Sequence, residues 1–162
     1  MKGVIRILSV FVFIGVFLLQ VCFSGTGNAE MKNTAVDFTL KNTTGEDVNL
    51  YNILKSNQTV LVFWATWCPS CRAEIPAVEK FYEKHKGKIA VFGVNVQESR
   101  EKVSGFAKKN GMTYPILLDT TGEVGNLYGV RGIPSVIAID QSGKVLYFGY
   151  DINEMQARLG IK

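Results

Sequence analysis

The sequence is poor in the residues that build metal clusters and disulfide scaffolds: it holds three cysteines and one histidine in 162 residues. Three cysteines do not staple a fold, so a hydrophobic core has to hold it. Glycine and proline, 16 and 4, are too few for a collagen-like or disordered chain, and no repeat or low-complexity tract occurs. P-loop, dinucleotide and flavin motifs are also missing, so no cofactor is expected. Asp and Glu are absent from residues 1–29, where Lys2 and Arg6 are the only charges. Without that stretch the net charge falls from +4 to +2. Little then argues for nucleic-acid binding, which needs a clustered basic face.

The first 29 residues read as an export segment. Lys2 and Arg6 form a positive start, Ile7 to Leu19 is apolar apart from Ser9 and Gly15, and Gly27-Asn28-Ala29 is a small-x-small site. Extended through Phe23, the apolar stretch spans about 25 Å as a helix, short of the roughly 30 Å hydrocarbon core. Residues 1–29 are therefore expected to be a cleaved signal peptide or a retained N-terminal membrane anchor. Cys22 follows Leu19-Gln20-Val21, which resembles a lipobox except that Val21 stands where a small residue belongs. Either way the rest is delivered across a membrane, where disulfides persist.

Beyond the leader the chain reads as one α/β unit, placed at residues 36–160. Val36 to Leu40 and Val48 to Leu50 flank Asn42-Thr43-Thr44-Gly45 and suggest a hairpin. Thr59 to Ala65 is a continuous β-branched and aromatic run, the mark of a strand covered on both faces. A helix is expected from Pro69 to about Lys86, a strand from Ile89 to Val96, and a helix capped by Ser99 and ended by Gly111. Ile116 to Leu118 reads as a short strand and Glu123 to Tyr128 as a short helix. Ser135 to Asp140 and Val145 to Gly149 form a closing hairpin before a helix from about Asn153 to Leu159. The pattern predicts a mixed sheet with helices on both faces.

The chemistry lies where the buried strand meets the longest helix, at Trp67-Cys68-Pro69-Ser70-Cys71. Two cysteines three apart at a helix start can close a small disulfide ring or open to a dithiol. Pro69 suits the first helical position, where its missing N–H would have had no partner. Free N–H groups and the positive end of the helix dipole face Cys68, so its thiol pKa should fall below about 8.5. Cys68 is then the attacking sulfur and Cys71 the resolving one. Zinc is not expected, because four ligands are needed and the mature chain would offer only these cysteines and His85. A purely structural disulfide would close too short a loop to stabilise much.

This run, with Gly132-Ile133-Pro134-Ser135 before a later strand, resembles the thioredoxin fold. Phe63 through Pro76, Val94-Asn95-Val96, Tyr114-Pro115 and Leu118-Asp119 resemble more narrowly the TlpA/ResA-like exported thiol-disulfide oxidoreductases. The resemblance implies a thioredoxin-like α/β fold with an N-terminal hairpin and an extra helix and strand between Ser99 and Asp119. It implies that Pro134 is the cis-proline facing the redox pair and that the backbone of Ile133 pairs with an incoming peptide; Trp67 and Pro69, adjacent to Cys68 in sequence, are expected to line the substrate surface. It also implies that Glu74, three residues after Cys71, is the acidic residue of the site, placed to serve as acid or base for the second thiol. Ordinary thioredoxins carry a buried Asp six residues before the first cysteine; here Val62 stands there. Glu98, at the start of the insertion, is placed to approach the site, although a solvated loop acid is the commoner case; His85 is expected as a surface residue, and Pro76 as a kink in its helix.

The resulting expectation is a protein-disulfide reductase using the Cys68–Cys71 pair. By resemblance its substrate is apocytochrome c in cytochrome c maturation, and a membrane thiol transporter of the CcdA/DsbD kind supplies electrons. It would reside in the bacterial periplasm or on the outer face of the cytoplasmic membrane. A disulfide oxidase or isomerase, a thiol peroxidase and a redox-inactive peptide-binding module are the alternatives.

Overall fold

A computed structural model describes residues 33–162; residues 1–29, expected as signal or anchor, and Cys22 among them lie outside the described residues. The β-branched run forms β3, here Gln58–Trp64, and six of its seven residues are buried. Its side chains alternate between two cores, as the pleat requires. Val60, Val62 and Trp64 enter one core; Leu61 and Phe63 enter the other.

In chain order the elements are β1 (Thr39–Asn42), β2 (Asp47–Asn49), α1 (Leu50–Leu54), β3, α2 (Pro69–His85) and β4 (Ile89–Val96). Then come α3 (Arg100–Lys109), β5 (Ile116–Asp119), α4 (Glu123–Leu127), β6 (Ser135–Ile139), β7 (Val145–Gly149) and α5 (Ile152–Leu159). The strands form one sheet in the order β2-β1-β5-β4-β3-β6-β7. β3, β4 and β5 run parallel, and all other pairings are antiparallel. This is the thioredoxin-like mixed sheet expected, and the Ser99–Asp119 insertion supplies α3 and β5 to it.

Helices α2, α3 and α5 cover one face through Val78 and Phe81, Val103 and Ala107, and Ile152 and Met155. Helices α1 and α4 cover the other through Leu50, Leu54 and Val124. The short α1 departs from the expected strand end at Leu50. Asn49 caps it, its side chain accepting from the Asn52 N–H at 2.9 Å, and the next residues turn Leu50 and Leu54 inward. Pro76 lies inside α2, which continues to His85.

The first core closes tightly around Trp64, which packs on Phe106 with ring centroids 5.6 Å apart. Gly93 on β4 makes this possible: a Cβ there would fall 2.9 Å from the Trp64 Nε1. His85 is buried, at 8% exposure, which corrects its expected place on the surface. It stands one turn after Phe81 on the inward stripe of α2, with ring centroids 4.6 Å apart. Burial, then the nearby charges of Lys84 and Lys88, lowers its pKa. Among the described residues no helix is long and apolar enough to cross a membrane.

Candidate active site

Strand β3 ends at Trp64, and the turn that follows is closed by the Cys68 N–H donating to the Ala65 carbonyl at 3.2 Å. Cys68 is the N-cap of α2 in extended backbone and Pro69 takes the first helical position. Cys68 and Cys71 form a disulfide with Cα atoms 5.3 Å apart. The free N–H of Cys71 points at the Cys68 sulfur, 3.2 Å away, and the Ser70 hydroxyl lies 3.3 Å from it. These are the donors that would receive a thiolate once the disulfide opens.

Across from the pair, the chain enters β6 through Ile133 and Pro134, whose peptide bond is cis. The Ile133 carbonyl oxygen is 3.6 Å from the Cys68 sulfur. Register explains the meeting, because Phe63 on β3 pairs with Ser135 on β6, so both strands bring their active-site ends to one edge. Trp67 is 63% exposed beside Cys68, and Pro69 is also exposed. Cys68, Cys71, Trp67, Pro69, Ile133 and Pro134 therefore share one end of the sheet. Val62 is a buried core residue, so no titratable group stands in the position of the thioredoxin aspartate.

Glu74 is half-buried on α2, and its carboxylate accepts from the Ile152 N–H at 2.7 Å, tying α2 to the start of α5. Burial, then that hydrogen bond and the nearby Asp151, act on its pKa; burial dominates and raises it. Such a carboxyl takes up a proton more readily than an exposed one.

Glu98 is not the solvated loop acid that is the commoner case. Its side chain is 3% exposed and accepts from four donors. The Thr66 N–H (2.7 Å) and the Asn95 Nδ2 (2.9 Å) reach Oε2. The Thr66 hydroxyl (2.6 Å) and the Lys102 Nζ (2.7 Å) reach Oε1. Burial pushes the carboxyl pKa up, but the bonds from Lys102, Thr66 and Asn95 together outweigh it and hold the value down at about 2. No local pattern signals this contact, because Thr66 and Glu98 are 32 residues apart and only the β3–β4 register brings them together. That register sets Trp64 opposite Asn95. Among the described residues no three His, Cys, Asp or Glu side chains are placed to hold a metal ion.

The chain matches the Redoxin family over residues 30–158. It is 35% identical to sporulation thiol-disulfide oxidoreductase A of Bacillus subtilis (strain 168) over 129 residues, covering 76% of this chain and 77% of that one. It is 31% identical to the thiol-disulfide oxidoreductase ResA of the same organism over 147 residues, covering 84% and 82%. The crystal structure of StoA from Bacillus subtilis superposes with a TM-score of 0.67 at 28% identity, covering 80% of this chain and 99% of that one. A family match across most of the chain, ResA-like relatives over most of their length, and a cysteine pair at the head of α2 agree: this chain belongs to the Redoxin family, among its ResA-like thiol-disulfide oxidoreductases.

Proposed function

We propose that the protein is an exported reductant of protein disulfides. The observation that carries this reading is the setting of the Cys68 sulfur, which receives the Cys71 N–H at the start of α2 and faces the Ile133 carbonyl beside Pro134. In the reduced enzyme the Cys68 thiolate attacks one sulfur of a substrate disulfide. A mixed disulfide forms, and the other substrate sulfur leaves as a thiolate. The Cys71 thiol loses its proton and attacks the Cys68 sulfur, which breaks the mixed bond and restores the Cys68–Cys71 disulfide. Two electrons and two protons have then passed to the substrate.

Glu74 serves the second step as the base for Cys71, three residues away along α2, and its raised pKa suits proton exchange. Trp67 and Pro69, exposed beside Cys68, and the backbone of Ile133 next to Pro134 form the surface that the substrate peptide meets. The resemblance to ResA-like proteins supports apocytochrome c as substrate, with its C-x-x-C-H haem-binding segment oxidised. It also supports a membrane dithiol donor of the CcdA/DsbD kind and a site of action outside the cytoplasmic membrane, with residues 1–29 as signal or anchor.

Trapping tests the reading. Cys71→Ala halts the cycle at the mixed disulfide, so the variant should carry a covalently bound partner that dithiothreitol releases. Recovery of an apocytochrome c would support the assigned substrate. A variant that accumulates no mixed disulfide while Cys68 remains reactive to alkylation would contradict the mechanism.

A further inference from the structure

The turn that delivers Cys68 is held by a charge. Thr66 donates both its N–H and its hydroxyl to Glu98, and Cys68, two residues on, closes the same turn on Ala65. Glu98 stands at the junction of β4 and α3, where the insertion begins. Gln97, just before it, adopts φ 57, a left-handed conformation unfavourable for a residue with a side chain. The Gln97 N–H donates to the Asp119 carbonyl at 2.9 Å, so both ends of the insertion meet at this junction.

Holding a turn does not require an ion. A buried charge is costly to desolvate, and apolar packing of similar volume is often as stable or more so. Here the fold retains an anion on the turn that leads into Cys68. Its surroundings are polar and almost closed: Thr66 and Asn95 are 7% and 0% exposed. The Asn95 Oδ1 and the Trp64 Nε1, on facing residues of β4 and β3, have no hydrogen-bond partner among the described residues. Among the described residues Lys102 is the one cation on Glu98, and it reaches in from a position 57% exposed.

We propose that Glu98 is a positioning residue for the dithiol, acting through Thr66 to fix the turn into Cys68 and to hold a permanent negative charge on that turn that keeps the pair reducing. A fixed anion near Cys68 disfavours the Cys68 thiolate and opposes the α2 N-terminus, which favours it. Raising the thiol pKa destabilises the reduced form relative to the disulfide and so lowers the reduction potential. The residue just before the insertion thereby acts on the active site, with Lys102 of the insertion as its counter-ion. The inference rests on the redox reading of Cys68 and Cys71.

The test compares wild type, Glu98→Gln, Thr66→Val and Thr66→Ser in glutathione redox titrations, with the Cys68 thiol pKa followed by alkylation rate. Glu98→Gln should change the equilibrium constant with glutathione about tenfold toward the dithiol, a rise of about 30 mV for this two-electron couple, and lower the Cys68 pKa. Thr66→Val should move both quantities the same way by less. Thr66→Ser, which keeps the hydroxyl, should match wild type. If Glu98→Gln does not fold, Thr66→Val decides by the same two readings. Folded variants with unchanged potential and pKa would overturn the inference and leave the redox reading intact, even if their thermal midpoints fell. A wild-type pair that does not exchange with glutathione would overturn both.

Discussion

Two carboxyl groups, one on the helix that begins at the cysteine pair and one bonded to the turn before it, are treated by the fold in opposite ways. On α2, Glu74 is half-buried with one backbone donor, and its pKa is raised. At the β4–α3 junction, Glu98 is more deeply buried yet has four donors, and its pKa falls to about 2. Burial alone would raise both. The number of donors decides the sign, because each hydrogen bond stabilises the ionised form. The α2 side therefore holds a group able to exchange a proton, and the junction holds a fixed charge.

The largest expected effect tests the fixed charge. The folded pKa of Glu98 lies below its unfolded value near 4.5. Its contribution is therefore complete above pH 4.5 and is lost as pH falls toward 2. A shift of that size corresponds to roughly 3 kcal/mol. Urea unfolding from pH 7 to pH 2 should show wild type losing about that much on the acid side. Glu98→Gln should already lack it at pH 7 and have a flatter acid limb. Equal acid limbs would remove the contrast between the two carboxyls.

Glu74 carries the opposite sign. Its folded pKa exceeds its unfolded one, so stability falls as pH rises through the unfolded value and stops falling above the folded one. Glu74→Gln should remove that slope with little loss of stability at pH 7. In stopped-flow measurements it should slow resolution of the mixed disulfide by about a hundredfold, within the range of general acid–base catalysis. An unchanged resolving rate would reduce Glu74 to a tie between α2 and α5.

The smallest effect serves as a control remote from both groups. Asn49→Ala removes the α1 cap and should cost about 1 kcal/mol in urea unfolding with no change in redox equilibrium. A change in that equilibrium would mean that the potential follows global stability rather than the local charge.

Much of this molecule was legible in the chain. The buried run of β3, the Cys68-Pro69 start of α2 and the Ser99 cap of α3 are local signals, and each element begins within a residue or so of the expected place. α1 was not legible, because five residues after a short strand carry too little periodicity to separate a helix turn from a strand end. His85 was misplaced for a different reason. It lies four residues after Phe81 on the inward stripe, but its polarity outweighed its position. The approach of Glu98 to the site was readable from its place at the start of the insertion, but its burial was not, because its partners come from β3 and β4, and a pairing across 32 residues leaves no trace in local spacing.

The reduction potential of the Cys68–Cys71 pair tests the central claim most directly. Equilibration with glutathione and dithiothreitol buffers should place it below about −200 mV, in the range of dithiols that reduce protein disulfides. A value near about −120 mV, that of the strong oxidant DsbA, would contradict the assignment as a reductant.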